Sequence, residues 1–477
     1  MAVEGGQECG LTFLRRAATI MFDLKALVES RAGEQLDLIE RHINPAFAKV
    51  LHTIGYDILY ERGQGAYLWD NQGQRYIDCL GGYAVFNVGR NHPVIREALK
   101  QAMDMDLPNL IKMGAYRLSG LLAEQLVALA PPGLDTVFFT NSGAEGIETA
   151  LKYARIATGR QRIVYCDHGF HGLTFGALSI NGNHEFRDGF GPGLEPTSQV
   201  PFNDVGALEK ELSRGDVAAF VVEPIQGKGV FVPAEDYLVQ AGALCEKYGT
   251  VFVLDEVQTG YGRTGKMFAA EHFNARPDIM VTAKGLSGGY VPVGAVFSKR
   301  AIHSKCFADM NRSVKHSTTF GQNDMAMAAG LATLHVLREE KLVENSAKMG
   351  LRLKNGLQEA LSKYEMFKEV RGHGLMLAIE FEAPKSMMLK MGWSMLHKLD
   401  PSLFPQAILI PLLTEQRVLA QVAGHHMDVI KLIPPLVLKE EDVDEIVRAF
   451  DMVVGACHKF PGPVWEVGRK LASAALK

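Results

Sequence analysis

The chain has 477 residues, of which 47% are hydrophobic and 22% are charged, and its formal net charge is −4 at pH 7. That length allows two or more domains, each with its own core. The slightly acidic balance gives no electrostatic basis for a nucleic-acid partner, and no apolar run approaches the roughly 20 residues that span a bilayer.

The cysteines and histidines form no recognisable metal or disulfide pattern. The six cysteines are scattered at positions 9, 79, 166, 245, 306 and 457, which indicates reduced thiols in a cytoplasmic protein. The one close histidine pair, His168 and His171, lacks a carboxylate or cysteine at ligand spacing, so we expect no metal site and a structural or pocket role. The opening LTFLRRAATIMFDL lacks the apolar core and cleavage site of a signal or transit peptide.

The first 80 residues are predicted to contain an arm and a segment that joins a small domain. Residues 1–33 carry no strong pattern and are assigned as an N-terminal arm. In residues 34–80, the run EQLDLIERHINPAFAKVL has helical apolar spacing that Pro45 interrupts. The runs YDILYE, AYLWD and RYIDCL then alternate around RGQG and NQGQ turns, which predicts a small antiparallel meander.

Residues 81–325 are predicted to form a large α/β domain. Short β-rich runs occur at TVFFT, RIVYC, VAAFVVE, TVFVLD, IMVTA and VGAVF, and helical runs such as EGIETALKYARIA lie between several of them. This alternation predicts a mainly parallel sheet between two layers of helices. Residues 326–477, with two long helices, the strand-like LMLAIEF and the helical EEDVDEIVRAFDMVV, are predicted to form a smaller α+β domain.

The stretch VFVLDEVQTGYGRTGKMF contains two competing glycine patterns. Gly260, Gly262 and Gly265 fit a dinucleotide-binding turn, whereas Gly260, Gly265 and Lys266 fit most of a P-loop. Both motifs require the phosphate site directly after the strand, but here acidic residues follow it, and Met267 replaces the hydroxyl that a P-loop uses for magnesium. A dehydrogenase or nucleotide hydrolase is therefore disfavoured.

Small or polar residues follow each of these strands. In a parallel sheet the ligand lies outside the carboxyl ends of the strands, so these residues are candidates for one site. They are Ser142, Gly143 and Ala144 after TVFFT, Phe170 and His171 after RIVYC, Glu223 at the end of VAAFVVE, Asp255 and Gln258 after VFVL, and Lys284 after IMVTA. Taken singly, each is also consistent with an ordinary helix N-cap or a solvated loop residue.

Together these residues match the needs of pyridoxal phosphate. That cofactor requires a lysine amine for a Schiff base, a carboxylate for its pyridine nitrogen, an anion cradle for its phosphate and an aromatic face for its ring. Lys284, Asp255, the amides after Ser142 at a helix N-terminus and Phe170 supply these four features. Because Lys284, Asp255 and Gln258 are all present, a catalytically silent binding protein is disfavoured.

Several motifs also resemble the class III aminotransferases, which are fold type I pyridoxal-phosphate enzymes. They are NSGAEGIETALKYAR, GFHG, EPIQG, DEVQTGYGRTG, AKGLSGGYVPVGA, HSTTFGQN and IPPLVL, and the resemblance extends from about residue 44 to 455. Within the family, INPAF and YIDCLGGYAVFNVG are most similar to the putrescine aminotransferases, followed by the ornithine and acetylornithine enzymes.

The resemblance implies a role for each site residue. It implies that Lys284 forms the Schiff base, that Asp255 contacts the pyridine nitrogen and that Gln258 reaches the ring hydroxyl. The remaining implied contacts are Val257 and Phe170 on the ring faces, Gly143 and Ala144 on the phosphate, and Thr319 on the phosphate of the neighbouring subunit, which implies a homodimer. Lys431, Tyr83 and Phe86 are the candidates for contact with substrate.

Two positions depart from the pattern of the ornithine-type enzymes. Lys431 stands where they carry an arginine that grips the substrate carboxylate, and Lys228 stands where they carry a glutamate that covers that arginine. We therefore expect a primary amine without an α-carboxylate as donor, either a putrescine-like diamine or a neutral or long-chain amine, and a 2-oxo acid such as 2-oxoglutarate or pyruvate as acceptor. The alternatives are an ornithine- or acetylornithine-type reaction, or an aminomutase or decarboxylase on the same fold.

Overall fold

The computed structural model describes residues 22–111, 113–398 and 403–459, together with residues 462 and 465. It divides into two units, Met1–Leu59 and Tyr60–Lys477. Residues 1–21 of the predicted arm, with Cys9, lie outside the described residues. The predicted domain boundaries at residues 80 and 325 stay predictions.

The first unit is helical. Its helices are α1 Leu24–Ser30, α2 Gln35–His42 and α3 Pro45–Thr53. Pro45 begins α3, where its missing N–H costs nothing, and the Asn44 side chain accepts a hydrogen bond from the Phe47 amide at 3.0 Å. This cap and proline explain why the helical pattern breaks into two helices at this point.

The second unit begins with the predicted antiparallel meander, which is confirmed. Its strands are β1 Tyr60–Gln64, β2 Tyr67–Asp70 and β3 Arg75–Asp78. A single left-handed turn follows at Gly81–Ala84, where all four residues have positive φ angles. The Asp78 carboxylate accepts hydrogen bonds from the Leu80 and Gly81 amides and holds the entrance to this turn.

A seven-stranded sheet forms the centre of the second unit. Its strands are β4 Thr136–Thr140, β5 Arg162–Cys166, β6 Thr197–Val200, β7 Val217–Val222, β8 Val251–Asp255, β9 Ile279–Thr282 and β10 Gly294–Ser298. The order is β4-β10-β9-β8-β7-β5-β6, and only β10 runs antiparallel to its neighbours. The predicted mainly parallel sheet is confirmed, and β6 is an additional strand that the sequence analysis did not predict.

Helices cover the sheet because its strands are apolar on both faces. In β7, Phe220 and Val222 belong to one buried cluster while Ala219 and Val221 belong to another, as the alternation of side chains along a strand requires. The helices of this region are α4 Pro93–Asp104, α5 Arg117–Leu129, α6 Gly143–Thr158, α7 Phe175–Ser179, α8 Val205–Leu212, α9 Tyr237–Tyr248 and α10 Arg300–Cys306.

The C-terminal region combines helices with a second sheet. Its elements are α11 Asp324–Glu339, α12 Leu342–Leu361, β11 Phe367–His373, β12 Met376–Phe381, α13 Met387–His397, α14 Leu403–Thr414, β13 Val418–Leu419, β14 Gln421–Val422, β15 Val429–Leu432 and α15 Glu440–Cys457. Strands β11, β12, β15 and β14 form an antiparallel sheet, and β13 pairs with β3 of the meander.

Two further observations concern the described residues as a set. No helix among them is both long and apolar enough to cross a bilayer, and no group of three or more His, Cys, Asp or Glu side chains within them is placed to hold a metal ion. The five described cysteines, at positions 79, 166, 245, 306 and 457, are all buried free thiols.

Candidate active site

The carboxyl ends of the central strands open into one cavity of about 850 Å³. Because β5, β7, β8 and β9 run parallel, the residues after each of them meet at the same edge of the sheet. The cavity brings together twelve residues that the sequence analysis singled out. They are Tyr83, Ser142, Gly143, Ala144, Phe170, His171, Glu223, Asp255, Val257, Gln258, Lys284 and Lys431.

Two other predicted residues do not line this cavity. The Arg90 guanidinium carbon lies 4.0 Å from the centroid of the Phe86 ring. A Cβ atom on Gly289 would lie 2.3 Å from the same ring. Phe86 thus packs behind Gly289, which itself faces the cavity. Thr319 is exposed, and its implied role in the site of a neighbouring subunit stays a prediction.

Asp255 and His171 form a buried pair at the end of β8. His171 Nδ1 lies 2.8 Å from Asp255 Oδ2, and Asp255 Oδ1 accepts a hydrogen bond from the Val257 amide at 3.0 Å. Although burial lowers the pKa of His171, the hydrogen bond to Asp255 and its negative charge outweigh burial and raise that pKa. The buried Nε2 atom of His171 has no hydrogen-bond partner among the described residues.

Lys284 begins a 3-10 turn, Lys284–Ser287, which Ala283 separates from the end of β9. Its φ angle is +42°, a conformation that costs free energy for a residue with a Cβ atom and that occurs often at functional sites. Burial lowers the pKa of the Lys284 amine, and the charges of Asp255 and Glu223 oppose that shift. A lysine with a lowered pKa has a larger neutral fraction and is therefore a better nucleophile and base.

The N-terminus of α6 supplies the candidate anion cradle. Ser142 is the N-cap and accepts a hydrogen bond from the Glu145 amide at 3.2 Å, so the ordinary capping role is also present. The Gly143 and Ala144 amides donate no hydrogen bond within the described part of the chain. A Cβ atom on Gly143 would lie 2.7 Å from Val257 Cγ1, so glycine keeps these amides accessible beside Val257.

Glu223 and Lys431 fix the loops that face this cradle. The Glu223 carboxylate accepts hydrogen bonds from the Phe170 amide at 3.0 Å and the Gly227 amide at 2.8 Å. Lys431 Nζ donates to Gly227 O at 2.7 Å and to Gln258 Oε1 at 3.3 Å. Burial, and next the charge of Lys284, lower the pKa of Lys431 to about 7.

The cavity also contains residues that the sequence analysis did not identify as site residues. Lys228, noted only as a departure, lines it, as do Asn141, Phe186, Tyr290, Gln406, Gln421 and His425. Gln406 lies on α14 and Gln421 on β14, two elements that were not predicted. The one available signal was the Gly288-Gly289 pair before Tyr290, which indicates a turn with positive φ angles.

The arrangement fits pyridoxal phosphate. It provides an amine at Lys284, a carboxylate at Asp255, and helix amides at Gly143 and Ala144 in a position where a Cβ atom on Gly143 would collide with Val257. Phe170 and Val257 supply apolar surfaces in the same cavity. No other cofactor was predicted from the sequence, and each of the four required features is present.

Residues 50–454 match the family described as Aminotransferase class-III. The chain therefore belongs to the class III aminotransferases, a family of pyridoxal-phosphate enzymes. It is 41% identical over 364 residues to the putrescine aminotransferase of Pectobacterium atrosepticum, covering 73% of this chain and 77% of that protein. It is 32% identical over 452 residues to Aminotransferase PigE of Serratia sp., covering 88% of this chain but only 53% of PigE, so it spans about half the length of that relative.

Solved structures agree with this assignment. The ornithine aminotransferase of Toxoplasma gondii superimposes with a TM-score of 0.78 at 28% identity, over 92% of this chain and 99% of that one. An amine transaminase from an uncultivated Pseudomonas species, in its cofactor-bound form, gives a TM-score of 0.75 at 28% identity, over 84% of this chain and 95% of that one. The family, fold and cofactor predicted from the sequence are confirmed, whereas the roles of individual residues stay predictions.

Proposed function

We propose that this chain transfers an amino group from a primary amine to a 2-oxo acid with pyridoxal phosphate as cofactor. The observation that carries the proposal is the meeting of Lys284, the Asp255–His171 pair and the α6 N-terminus in one cavity. When bound, pyridoxal phosphate supplies an electron sink that stabilises negative charge on the donor carbon. The residues below supply binding, orientation and proton transfer.

Each contact to the cofactor has a matching group in the cavity. Asp255, oriented by its hydrogen bond with His171, would hold the pyridine nitrogen protonated. The Gly143 and Ala144 amides would bind the phosphate, because helix N-termini favour anions. Phe170 and Val257 would enclose the ring, and Gln258 would reach its hydroxyl.

Lys284 acts as the proton carrier of the reaction. Its amine would bind the cofactor in the resting enzyme and become free when the donor amine binds. The lowered pKa of Lys284 favours the neutral amine, which can accept the proton from the donor carbon and return it on the other side of the reaction. The left-handed backbone conformation at Lys284 sets the position from which its side chain extends.

The donor is proposed to be a primary amine without an α-carboxylate. Lys431 already donates to Gly227 O and Gln258 Oε1, and as a lysine it lacks the two-point geometry with which arginine binds carboxylates. The 41% identity to a putrescine aminotransferase supports a diamine. The buried Lys228 ammonium supports a neutral or long-chain amine instead, because it repels a distal ammonium group. We favour the donor without a second charge.

Three rival reactions are consistent with the same fold. The solved ornithine aminotransferases favour an ω-amino acid donor, and the aminomutase and decarboxylase alternatives need no acceptor. Product analysis with a panel of amines, with and without 2-oxoglutarate or pyruvate, separates them. Product formation that does not depend on a 2-oxo acid would contradict transamination, and a preference for ornithine or acetylornithine would contradict the proposed donor class.

The functional unit is proposed to be a homodimer in the cytoplasm. The segment that carries Thr319 exposes the apolar side chains of Met310, Val314 and Phe320, and exposed apolar surface is typical of protein interfaces. Asn141 of the cavity donates a hydrogen bond to Thr318 at 2.9 Å, so this segment lies beside the site. These features support a subunit interface near the cofactor.

The assignment of Lys284 is tested by trapping. Borohydride reduction of the purified holoenzyme followed by peptide mapping is expected to place the cofactor on Lys284. Lys284→Ala is expected to lose both the covalent link and turnover, whereas Lys266→Ala, a matched change in the loop after β8, is expected to keep the link. A label on Lys266 or Lys299 would contradict the assignment.

A further inference from the structure

Lys228 is a cation of the cavity that forms no ion pair within the described part of the chain. Its Nζ atom lies 3.8 Å from the centroid of the Phe186 ring and 5.7 Å from that of Phe170. The atom is buried and makes no hydrogen bond within the described residues. Cation–π contacts replace only part of the lost hydration of an ammonium group. A buried ammonium that faces a ligand cavity is therefore suited to an anionic ligand group.

Gln421 places a second unused donor in the same cavity. Its Nε2 atom is buried and has no acceptor among the described residues. Strand β14 brings Gln421 opposite Lys431 of β15. The residues after Gln421 lie against the segment that carries Lys228. The Gly229 amide donates to Ala423 O at 3.3 Å, and a Cβ atom on Gly424 would lie 3.8 Å from Lys228 Cβ. Lys228 and Gln421 thus belong to adjoining segments of one wall.

Lys431 forms a separate inner cation. After burial, the charge of Lys284 has the largest effect on the pKa of Lys431, followed by the charges of Glu223 and Lys228, whereas the charges that act on Lys228 are those of Glu185 and Glu223. Lys431 is also the more deeply buried of the two lysines. The cavity therefore presents two cations: Lys431, on which the charge of Lys284 acts, and Lys228, beside the Phe186 ring. The Gln421 amide lies on the strand that pairs with Lys431, and two cations with this donor suit a ligand with two negative ends.

We propose that Lys228 Nζ and Gln421 Nε2 form a subsite for the distal carboxylate of a dicarboxylic 2-oxo acid, while Lys431 faces the carboxylate next to the oxo group. The proposal rests on the proposed function, since it names the class of acceptor used in the second half of the reaction. Lys228 and Gln421 are then residues that determine acceptor specificity. The same donors disfavour a distal ammonium on the amine substrate.

The acceptor preference is tested with two acids of equal chain length. 2-Oxoglutarate and 2-oxopentanoate share the reacting end and differ in the distal carboxylate. Wild-type holoenzyme is expected to have the higher kcat/KM with 2-oxoglutarate. Lys228→Met, which keeps most of the apolar stem, is expected to lower the ratio of the two kcat/KM values by about 10- to 100-fold, as loss of a charge-assisted hydrogen bond does.

Controls separate the subsite from general damage. Lys100→Met, on the exposed face of α4, is expected to leave the ratio unchanged. Gln421→Glu retains the size of the side chain but gives Lys228 a partner and repels an incoming carboxylate, so it is expected to lower the ratio as well. An equal effect of Lys228→Met on both acids, or no effect, would overturn the proposal. If Lys228→Met fails to fold, Gln421→Glu decides by the same criterion.

A binding measurement distinguishes failure of the subsite from failure of the proposed function. Calorimetry of the holoenzyme is expected to show tighter binding of glutarate than of pentanoate, and Lys228→Met and Gln421→Glu are expected to remove the difference. If no 2-oxo acid is consumed, the proposed function fails, whatever glutarate does. If amino transfer occurs but both comparisons show no preference for the dicarboxylate, only the subsite is wrong.

Discussion

At the scale of single residues, the Asp255–His171 pair places a carboxylate and a hydrogen-bonded imidazole together in a buried site. Burial lowers the pKa of His171, but the 2.8 Å hydrogen bond to Asp255 and the negative charge of Asp255 outweigh burial and raise that pKa. The second imidazole nitrogen is left without a partner among the described residues. The hydrogen bond orients the Asp255 carboxylate. A substitution that changes only the charge of Asp255 therefore tests the role of that charge.

Asp255→Asn is expected to retain the cofactor but lose several orders of magnitude in turnover. The amide keeps the size of the carboxylate and leaves the α6 amides intact, but a neutral group cannot hold the pyridine nitrogen protonated. The measurements are single-turnover kinetics with an amine donor and cofactor absorbance after desalting. Asp204→Asn, which preserves the cap of α8, is the matched control. Near-normal turnover of Asp255→Asn with bound cofactor would show that the charge is not needed.

Acceptor preference is expected to depend on the charge of Lys228. Burial lowers its pKa to about 8, against the charges of Glu185 and Glu223. The ammonium is present below this pKa and lost as pH rises through it, so the preference for 2-oxoglutarate over 2-oxopentanoate is expected to fall with an apparent pKa near 8. Each kcat/KM value reports the free enzyme. Because Lys431 faces both acids, its titration changes both values equally and cancels in their ratio. His425 is a further titratable group near this site, with its ring beside that of Phe186.

Lys228→Met is expected to make this ratio independent of pH. A ratio that still falls with the same apparent pKa in Lys228→Met would assign the titration to another group. A ratio that stays constant in the wild-type enzyme would show that the Lys228 charge does not contribute to selectivity.

At the scale of elements, the glycine-rich loop after β8 connects the central sheet with the C-terminal region. Gly265 has a φ angle of +84°, and a Cβ atom there would lie 2.9 Å from Ala347 of α12. Between the glycines, the buried Arg263 guanidinium donates to Leu375 O at 3.0 Å, to Asn87 Oδ1 at 2.6 Å and to Pro434 O. The glycines therefore allow close packing and the placement of one arginine.

Arg263→Met is expected to lower the free energy of unfolding by about 2–5 kcal/mol, because three buried acceptors lose their donor. The methionine keeps most of the side-chain volume, so the loss reports mainly on hydrogen bonds. Urea unfolding of the cofactor-free protein gives the value. Arg338→Met, at a site where the side chain is 67% exposed, is expected to change it by less than about 0.5 kcal/mol. Equal effects of the two variants would contradict the connecting role.

The elements also show which features the sequence could predict. Strands such as β7 and β8 are short apolar runs bounded by turns, and the residues that follow them must meet at one sheet edge, so Asp255, Glu223 and Lys284 were predictable. Helix α14 has no helical periodicity because nearly all of its sides are buried and Pro411 lies inside it. The meeting of Gln421 and Lys228 in one cavity depends on contacts between distant segments, which no local pattern encodes.

At the scale of the whole molecule, the proposed dimer assigns Thr319 and Lys284 of one site to different subunits. Thr319 is exposed and lies outside the cavity of its own chain. It follows Thr318, which contacts Asn141 at the cavity edge. If the implied role of Thr319 is correct, each subunit completes the phosphate site of the other, and defects in these two residues can be separated by mixing subunits.

Lys284→Ala and Thr319→Ala are each expected to have little activity at limiting cofactor, and mixed dimers of the two are expected to recover it. In such a dimer one site carries both defects and the other carries neither. Random exchange forms mixed dimers in half of the population, so activity per site is expected to reach about a quarter of the wild-type value. The measurement is turnover after subunits are exchanged in dilute denaturant and refolded, with light scattering to confirm the dimer.

Exchange of each variant with itself is the control and is expected to recover nothing. Mixing is informative because a Thr319 that served its own subunit would leave every site with one defect, and activity would then stay at the level of the separate variants. That result, or a monomer that turns over at the wild-type rate, would contradict the shared site. Recovery shows that the smallest active unit contains two chains, because no single chain in the mixture carries both intact residues.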